Sequence, residues 1–174
     1  YQPGEVVGYF KQDVANYVGK NLPVVMCASH DTASAVEGIP IKELDGPYLS
    51  SGTWSIIGVK SDIPHTDKIS LEQEFSNEGG VGYIRYQKNT MGMWIVQSLR
   101  KELCPDKDYS QIALEASESD YDVVIDVNDQ IFFSPKSMKG AIDEFLSKKG
   151  LPPAKTQADY FKCAYVGIAH GYKQ

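Results

Sequence analysis

The most restrictive stretch of this sequence is a short apolar run, Val24-Val25-Met26-Cys27-Ala28, that passes straight into Ser29-His30-Asp31-Thr32 and then into Ala33, Ala35 and Val36. Pro23 introduces the run, whose length and β-branched start predict a strand buried on both faces. The short polar residues ahead of good helix formers predict a helix start. Strand, polar corner and helix in that order point to α/β architecture, in which ligands bind just beyond the carboxyl ends of strands. Asp31 therefore stands where a carboxylate can meet a substrate. Its purely structural reading is a helix N-cap, and that of His30 is a loop imidazole bonded to backbone.

The neighbouring text supports the same class. Val7, Phe10, Val14, Tyr17 and Val18 repeat at roughly helical spacing as far as Gly19, which predicts a short helix. Tyr48 to Ser51 and Trp54 to Val59 are β-rich runs around Gly52-Thr53 and predict a hairpin. Its small-residue turn, Ser50-Ser51-Gly52-Thr53, offers backbone N–H groups and hydroxyls to an oxyanion, unless it is an ordinary tight turn. A further β-like region runs from Gly82 to Gln87, and Met91, Trp94, Ile95, Leu99 and Leu103 then share one helical face ended by Cys104-Pro105. Beyond it the patterns predict a helix at Ile112 to Ser117, a strand at Val123 to Val127 and an extended piece at Ile131 to Phe133. Two more helices follow, around Ala141 to Leu146 and Phe161 to Tyr172.

Composition narrows the function. With 174 residues, 42% hydrophobic and 23% charged, the chain can bury one sizeable core. A net charge of -6 without a Lys/Arg block argues against nucleic acid as a partner. Cys27, Cys104 and Cys163 are odd in number and far apart, which fits a reducing cytosol better than a disulfide framework or a zinc site. The longest apolar run is far below the roughly 20 residues that cross a bilayer. Ser29, His30 and Asp31 have the residue types of a hydrolase triad, but adjacent residues do not form that relay easily, and no nucleophile elbow, Walker loop or Rossmann glycine fingerprint occurs. The opening at Tyr1 without Met, and the close at Gln174 within a helical pattern, suggest a piece of a longer protein.

Taken in order, Ala28-Ser29-His30-Asp31-Thr32-Ala33-Ser34-Ala35-Val36, Tyr48-Leu49-Ser50-Ser51-Gly52-Thr53-Trp54-Ser55, Asn77-Glu78-Gly79-Gly80 and Lys88-Asn89-Thr90-Met91-Gly92-Met93-Trp94 resemble the FGGY carbohydrate kinases. The matches are dense from about Val24 to Gln97 and diffuse afterwards. Ser55 follows the tryptophan where relatives acting on fuculose typically carry Glu, which leans toward members acting on L-rhamnulose. Thr90, Met93 and Lys60 depart from the family's usual residues, and Gly167-Ile168-Ala169 stands where serine-leucine-alanine is usual, a packing difference on the simplest reading.

The resemblance implies an actin/hexokinase-like (ribonuclease H-like) ATPase fold. On this basis 1–174 is a partial C-terminal (second) domain: 1–22 a lead-in helix region, 23–100 the catalytic and phosphate-binding motifs, and 101–174 a helical remainder truncated at its end. The implied activity is ATP- and Mg²⁺-dependent phosphorylation of a sugar hydroxyl in the cytoplasm. Asp31 would be the catalytic base, with His30, Asp31, Thr32 and Asn89 at the sugar and Gly52, Thr53 and Gln97 at ATP. No residue is assigned to a metal. The implied partner is the rest of a kinase chain, meaning a first domain and a glycine-rich adenine-binding segment that this sequence lacks. Alternatives are a kinase for L-fuculose, xylulose or glycerol, or a non-catalytic nucleotide- or sugar-binding module of the same fold.

Overall fold

The computed structural model describes residues 1–28, 30–41 and 46–173, and they divide into two compact units. One comprises Tyr1–Ser50 and Ile57–Lys88, the other Ser51–Ile56 and Asn89–Gln174.

The first unit opens with strand β1 (Val6–Tyr9), helix α1 (Gln12–Val18) and strand β2 (Pro23–Val25). The helical spacing at Val7 and Phe10 is therefore coincidental. These residues flank the end of a strand that pairs antiparallel with β2, Val6 opposite Val25 and Tyr9 opposite Pro23. Gly19 ends α1 with φ 77°, a left-handed conformation that suits glycine. The expected doubly buried strand is also corrected: β2 stops at Val25, and Val24 and Val25 are 39% and 51% exposed. Helix α2 (Asp31–Glu37) follows and buries Ala33 and Val36.

A four-stranded sheet has the order β3 (Pro47–Ser51), β4 (Trp54–Ser61), β6 (Ile84–Met91), β5 (Phe75–Gly79). The hairpin around Gly52-Thr53 forms as the β-rich runs predict. Strand β5 escapes the sequence pattern and pairs antiparallel with β6, Phe75 opposite Lys88 and Gly79 opposite Ile84. Short helix α3 (Lys68–Glu72) is capped by Asp67, whose carboxylate accepts from the Ser70 N–H at 3.0 Å.

The second unit holds a continuous apolar core built by helices α4 (Trp94–Leu103), α5 (Tyr109–Glu118), α6 (Met138–Lys148) and α7 (Gln157–Gly171). Met91, Ile95, Leu99, Ile142 and Phe132 are fully buried, and each such side chain contributes roughly 1.5–3 kcal/mol through area removed from water. Polar side chains set the helix starts. Asp108 accepts from the Gln111 N–H, Ser137 from the Gly140 N–H, and Thr156 and Asp159 form a reciprocal capping box.

Two expectations fail here for local reasons. Val123, Ile125 and Val127 are buried in alternation, as a strand's would be, but the segment joins no ladder among the described residues. Ile131 lies in a 3-10 helix (Gln130–Phe132), because the Asp129 carboxylate accepts from the Ile131 N–H and tightens the turn. Gly167 is a packing requirement, since a Cβ there would stand 2.7 Å from the Ile125 carbonyl oxygen. No described helix is long and apolar enough to cross a membrane.

Candidate functional site

His30, Asp31 and Thr32 form the corner at the start of α2. The N-cap position belongs to His30, whose side chain makes no capping bond, and Asp31 is the first helical residue. Asp31 is thus not the cap that spacing allowed. Its Oδ1 accepts from the Thr32 N–H at 2.6 Å and the Thr32 hydroxyl at 3.3 Å, and His30 Nδ1 stands 3.2 Å away. The Asp31 side chain is nonetheless 95% exposed, so its second oxygen is open. Ser29, between the apolar run and His30, lies outside the described residues.

The corner is held by polar ties within its own unit. The Ser34 hydroxyl donates to the Ala28 carbonyl at 2.7 Å. At the far end of α2, Glu37 Oε1 accepts from the Tyr83 hydroxyl at 2.5 Å and from the Val81 N–H at 3.2 Å. Burial, followed by the Glu37 contact, pushes the Tyr83 phenol well above its ordinary value, so it stays a neutral donor. Both ends of α2 are fixed, which limits where Asp31 can move.

Sequence reasoning missed a charged cluster in this unit. Arg85, with only 3% of its side chain exposed, pairs with Glu78 at 2.9 Å. Its Nε donates to the Gly79 carbonyl at 3.2 Å and its Nη1 to Gln87 Oε1 at 3.1 Å, while the Tyr48 hydroxyl donates to the same Gln87 oxygen at 2.7 Å. Burial raises the Tyr48 phenol. Together with His30, Cys27 and Gly80, the residues Glu78, Gly79 and Arg85 line a cavity of about 430 Å³. Only Asn77-Glu78-Gly79-Gly80 signalled the place, and nothing local in the sequence signalled the arginine.

In the second unit, the turn Gly52-Thr53 is strapped to the start of α4. The Gly52 carbonyl accepts from the Met93 N–H at 2.8 Å and the Thr53 carbonyl from the Trp94 N–H at 3.1 Å. Gly92 makes this approach possible: a Cβ there would meet the Gly52 carbonyl oxygen, with Ser55 Oγ at 2.6 Å and the Thr53 carbonyl at 2.9 Å. The Thr53 hydroxyl, exposed, reaches Gln97 Oε1 at 3.4 Å, which brings together two of the residues expected at the nucleotide. Asn89 lies exposed in β6. Ser55 is fully buried with its hydroxyl 2.7 Å from that of Tyr172, a packing position in this chain. Thr90 is likewise buried and donates to Asn128 Oδ1 at 3.0 Å.

Comparisons with known proteins agree with the motif reading. No family model matches the chain. A rhamnulokinase from Pectobacterium carotovorum subsp. carotovorum (strain PC1) is 36% identical over 178 residues, covering 99% of this chain and 34% of that protein. Rhamnulokinases from Halalkalibacterium halodurans and Klebsiella pneumoniae subsp. pneumoniae are 34% and 37% identical, covering 98% and 96% of this chain and 36% and 34% of theirs. The chain thus spans about a third of the length of these curated relatives. Among solved structures, a xylulose kinase from Rhodospirillum rubrum matches with a TM-score of 0.66 at 17% identity, over 97% of this chain and 34% of that one. The fold is accordingly the mixed α/β fold of the actin/hexokinase-like sugar kinases, in part. The resemblance to rhamnulokinases extends over nearly the entire chain.

Proposed function

We propose that this rhamnulokinase-like chain is the part of an FGGY kinase's second domain that supplies the proton acceptor and part of the phosphate grip, with 23–100 carrying the motifs. The complete protein would transfer the γ-phosphoryl group of ATP to a hydroxyl of a ketose, L-rhamnulose foremost, in the cytoplasm. The observation that carries this reading is the Asp31 carboxylate, exposed at the first residue of α2 between His30 and Thr32, in a chain 36% identical to a rhamnulokinase over 99% of its length.

In the reaction, a sugar hydroxyl oxygen attacks the γ-phosphorus in line, the bond to the β-phosphate oxygen breaks, and the hydroxyl proton passes to Asp31, leaving ADP and a sugar phosphate. His30, Thr32 and Asn89 would orient the sugar, Gly52 and Thr53 would donate to phosphate oxygens, and Gln97 would support the nucleotide. Orientation matters more than basicity, because in a loose transition state the proton leaves late. Magnesium, when bound, neutralises phosphate charge. The ion would be held by nucleotide phosphates and water, with one or two carboxylates of the complete protein.

The test is a coupled ADP-release assay of the complete protein with L-rhamnulose, L-fuculose, xylulose and glycerol. L-Rhamnulose should give the highest kcat/KM, and no sugar-dependent ADP release would reject the reading. Thr53→Ala should raise the KM for ATP roughly tenfold, on the order of one charge-assisted hydrogen bond, with the KM for the sugar little changed. Unaltered kinetics toward ATP would remove Thr53 from the phosphate grip.

A further inference from the structure

The turn Gly52-Thr53 is flanked by two serines whose hydroxyls meet on one phenol. The Tyr172 hydroxyl stands 2.7 Å from Ser55 Oγ and 3.3 Å from Ser51 Oγ. Ser55 is fully buried and Ser51 exposed, so the three hydroxyls form a chain from the interior of the second unit to the residue ahead of Gly52. The phenol is firmly placed. It follows helix α7, which buries Phe161, Cys163, Ala164 and Ile168, and the Tyr172 N–H donates to the Ile168 carbonyl at 3.1 Å. A hydroxyl carries one hydrogen, so the direction of the chain matters. If Tyr172 donates to Ser55, Ser51 can meet the phenol only by donating to it, and offers nothing but lone pairs outward. If Ser55 donates to Tyr172, the phenol hydrogen goes to Ser51, and the Ser51 hydrogen is free for an acceptor outside. A phosphate oxygen at the turn only accepts, which selects the second direction, and hydroxyls aligned in this way polarise one another.

We propose that the Ser51 hydroxyl contacts a nucleotide phosphate and that Tyr172 is its positioning residue, donating to the Ser51 oxygen so that the Ser51 hydrogen is left for the phosphate. The proposal rests on the kinase reading, in which Gly52 and Thr53 grip the phosphates, but assigns two residues that reading leaves unused. The ligand class is an oxyanion, which accepts hydrogen bonds and offers none. A sugar hydroxyl, by contrast, could satisfy the chain in either direction.

In the complete protein, the test is the Kd of a non-hydrolysable ATP analogue with Mg²⁺, by titration calorimetry, in wild type, Ser51→Ala, Tyr172→Phe and the double variant. Ser51→Ala should weaken the analogue about tenfold, the scale of one hydrogen bond to a charged group, and Tyr172→Phe about fivefold. The double variant should bind no more weakly than Ser51→Ala alone, because Tyr172 acts through Ser51. The KM for L-rhamnulose should change less than about twofold throughout. A purely structural Tyr172 would lower the urea midpoint and leave the Kd of the folded protein unchanged, which overturns the positioning role, as do losses that multiply in the double variant. Unchanged affinity in Ser51→Ala overturns the whole proposal. Ser51 is exposed, so this arm decides even where Tyr172→Phe does not fold. Turnover of L-rhamnulose with analogue affinity unchanged in the variants removes the hydroxyl chain from the site and leaves the kinase reading standing. Analogue binding weakened in the variants, without sugar-dependent ADP release from wild type, keeps the hydroxyl chain and overturns the kinase reading.

Discussion

Replacing Asp31 by Asn is expected to lower the kcat of the complete protein by roughly 10²–10⁴, the usual contribution of a positioned general base, while sugar affinity changes little. Asparagine keeps an oxygen that can accept from the Thr32 N–H, the 2.6 Å contact made by Asp31 Oδ1, so the corner and the start of α2 should be preserved. What it loses is the capacity to take a proton and the negative charge next to His30, 3.2 Å away in the present structure. A change confined to kcat would mean that the lost interaction exists in the transition state alone. Sugar binding by titration calorimetry and ADP release in the same preparation make this separation. Turnover near the wild-type level would show that another group accepts the proton.

The second large effect is expected at a residue that touches no substrate. Gly92→Ala would drive a Cβ against the Gly52 carbonyl oxygen, 2.6 Å from Ser55 Oγ and 2.9 Å from the Thr53 carbonyl. Two of these three atoms are backbone, and both carbonyls accept hydrogen bonds from the start of α4, so the obstruction is not relieved by turning one side chain. Overpacking of this kind costs about 1–3 kcal/mol, and the strain falls on the turn proposed to hold the nucleotide. The urea midpoint should fall and the KM for ATP should rise several-fold. The affinity for sugar should move little. Stability and ATP kinetics equal to wild type would mean that the turn gives way easily, and its strapping to α4 would then have no part in phosphate binding.

The residues that announced themselves in the sequence were those whose role is local. The apolar periodic runs around Ile112 to Ser117, Ala141 to Leu146 and Phe161 to Tyr172 fall on α5, α6 and α7. Gly52-Thr53 separates two β-rich runs and forms the hairpin turn. Asp31 falls at the start of a helix, as its polar neighbours imply. What escaped depends on partners distant in the chain. Val24 and Val25 read as interior because they are apolar, yet their strand pairs with the short β1 and stays half exposed; periodicity reports the side chains and not what covers them. Val123, Ile125 and Val127 alternate correctly between inside and outside, but alternation does not supply a neighbouring strand. The cluster of Arg85, Glu78, Gln87 and Tyr48 joins residues from β3, β5 and β6, and no local pattern connects them. Gly92 is likewise explained only by the carbonyls it faces.

The role given to Asp31 is tested most directly by a crystal structure of the complete protein with L-rhamnulose and a non-hydrolysable ATP analogue. The distance to read is that from the Asp31 carboxylate to the sugar hydroxyl in line with the γ-phosphorus. A value of about 2.6–3.2 Å, with the Thr53 hydroxyl directed at a phosphate oxygen, is the expected result. A sugar whose reacting hydroxyl is bonded to a different base, with Asp31 turned to solvent, would contradict it.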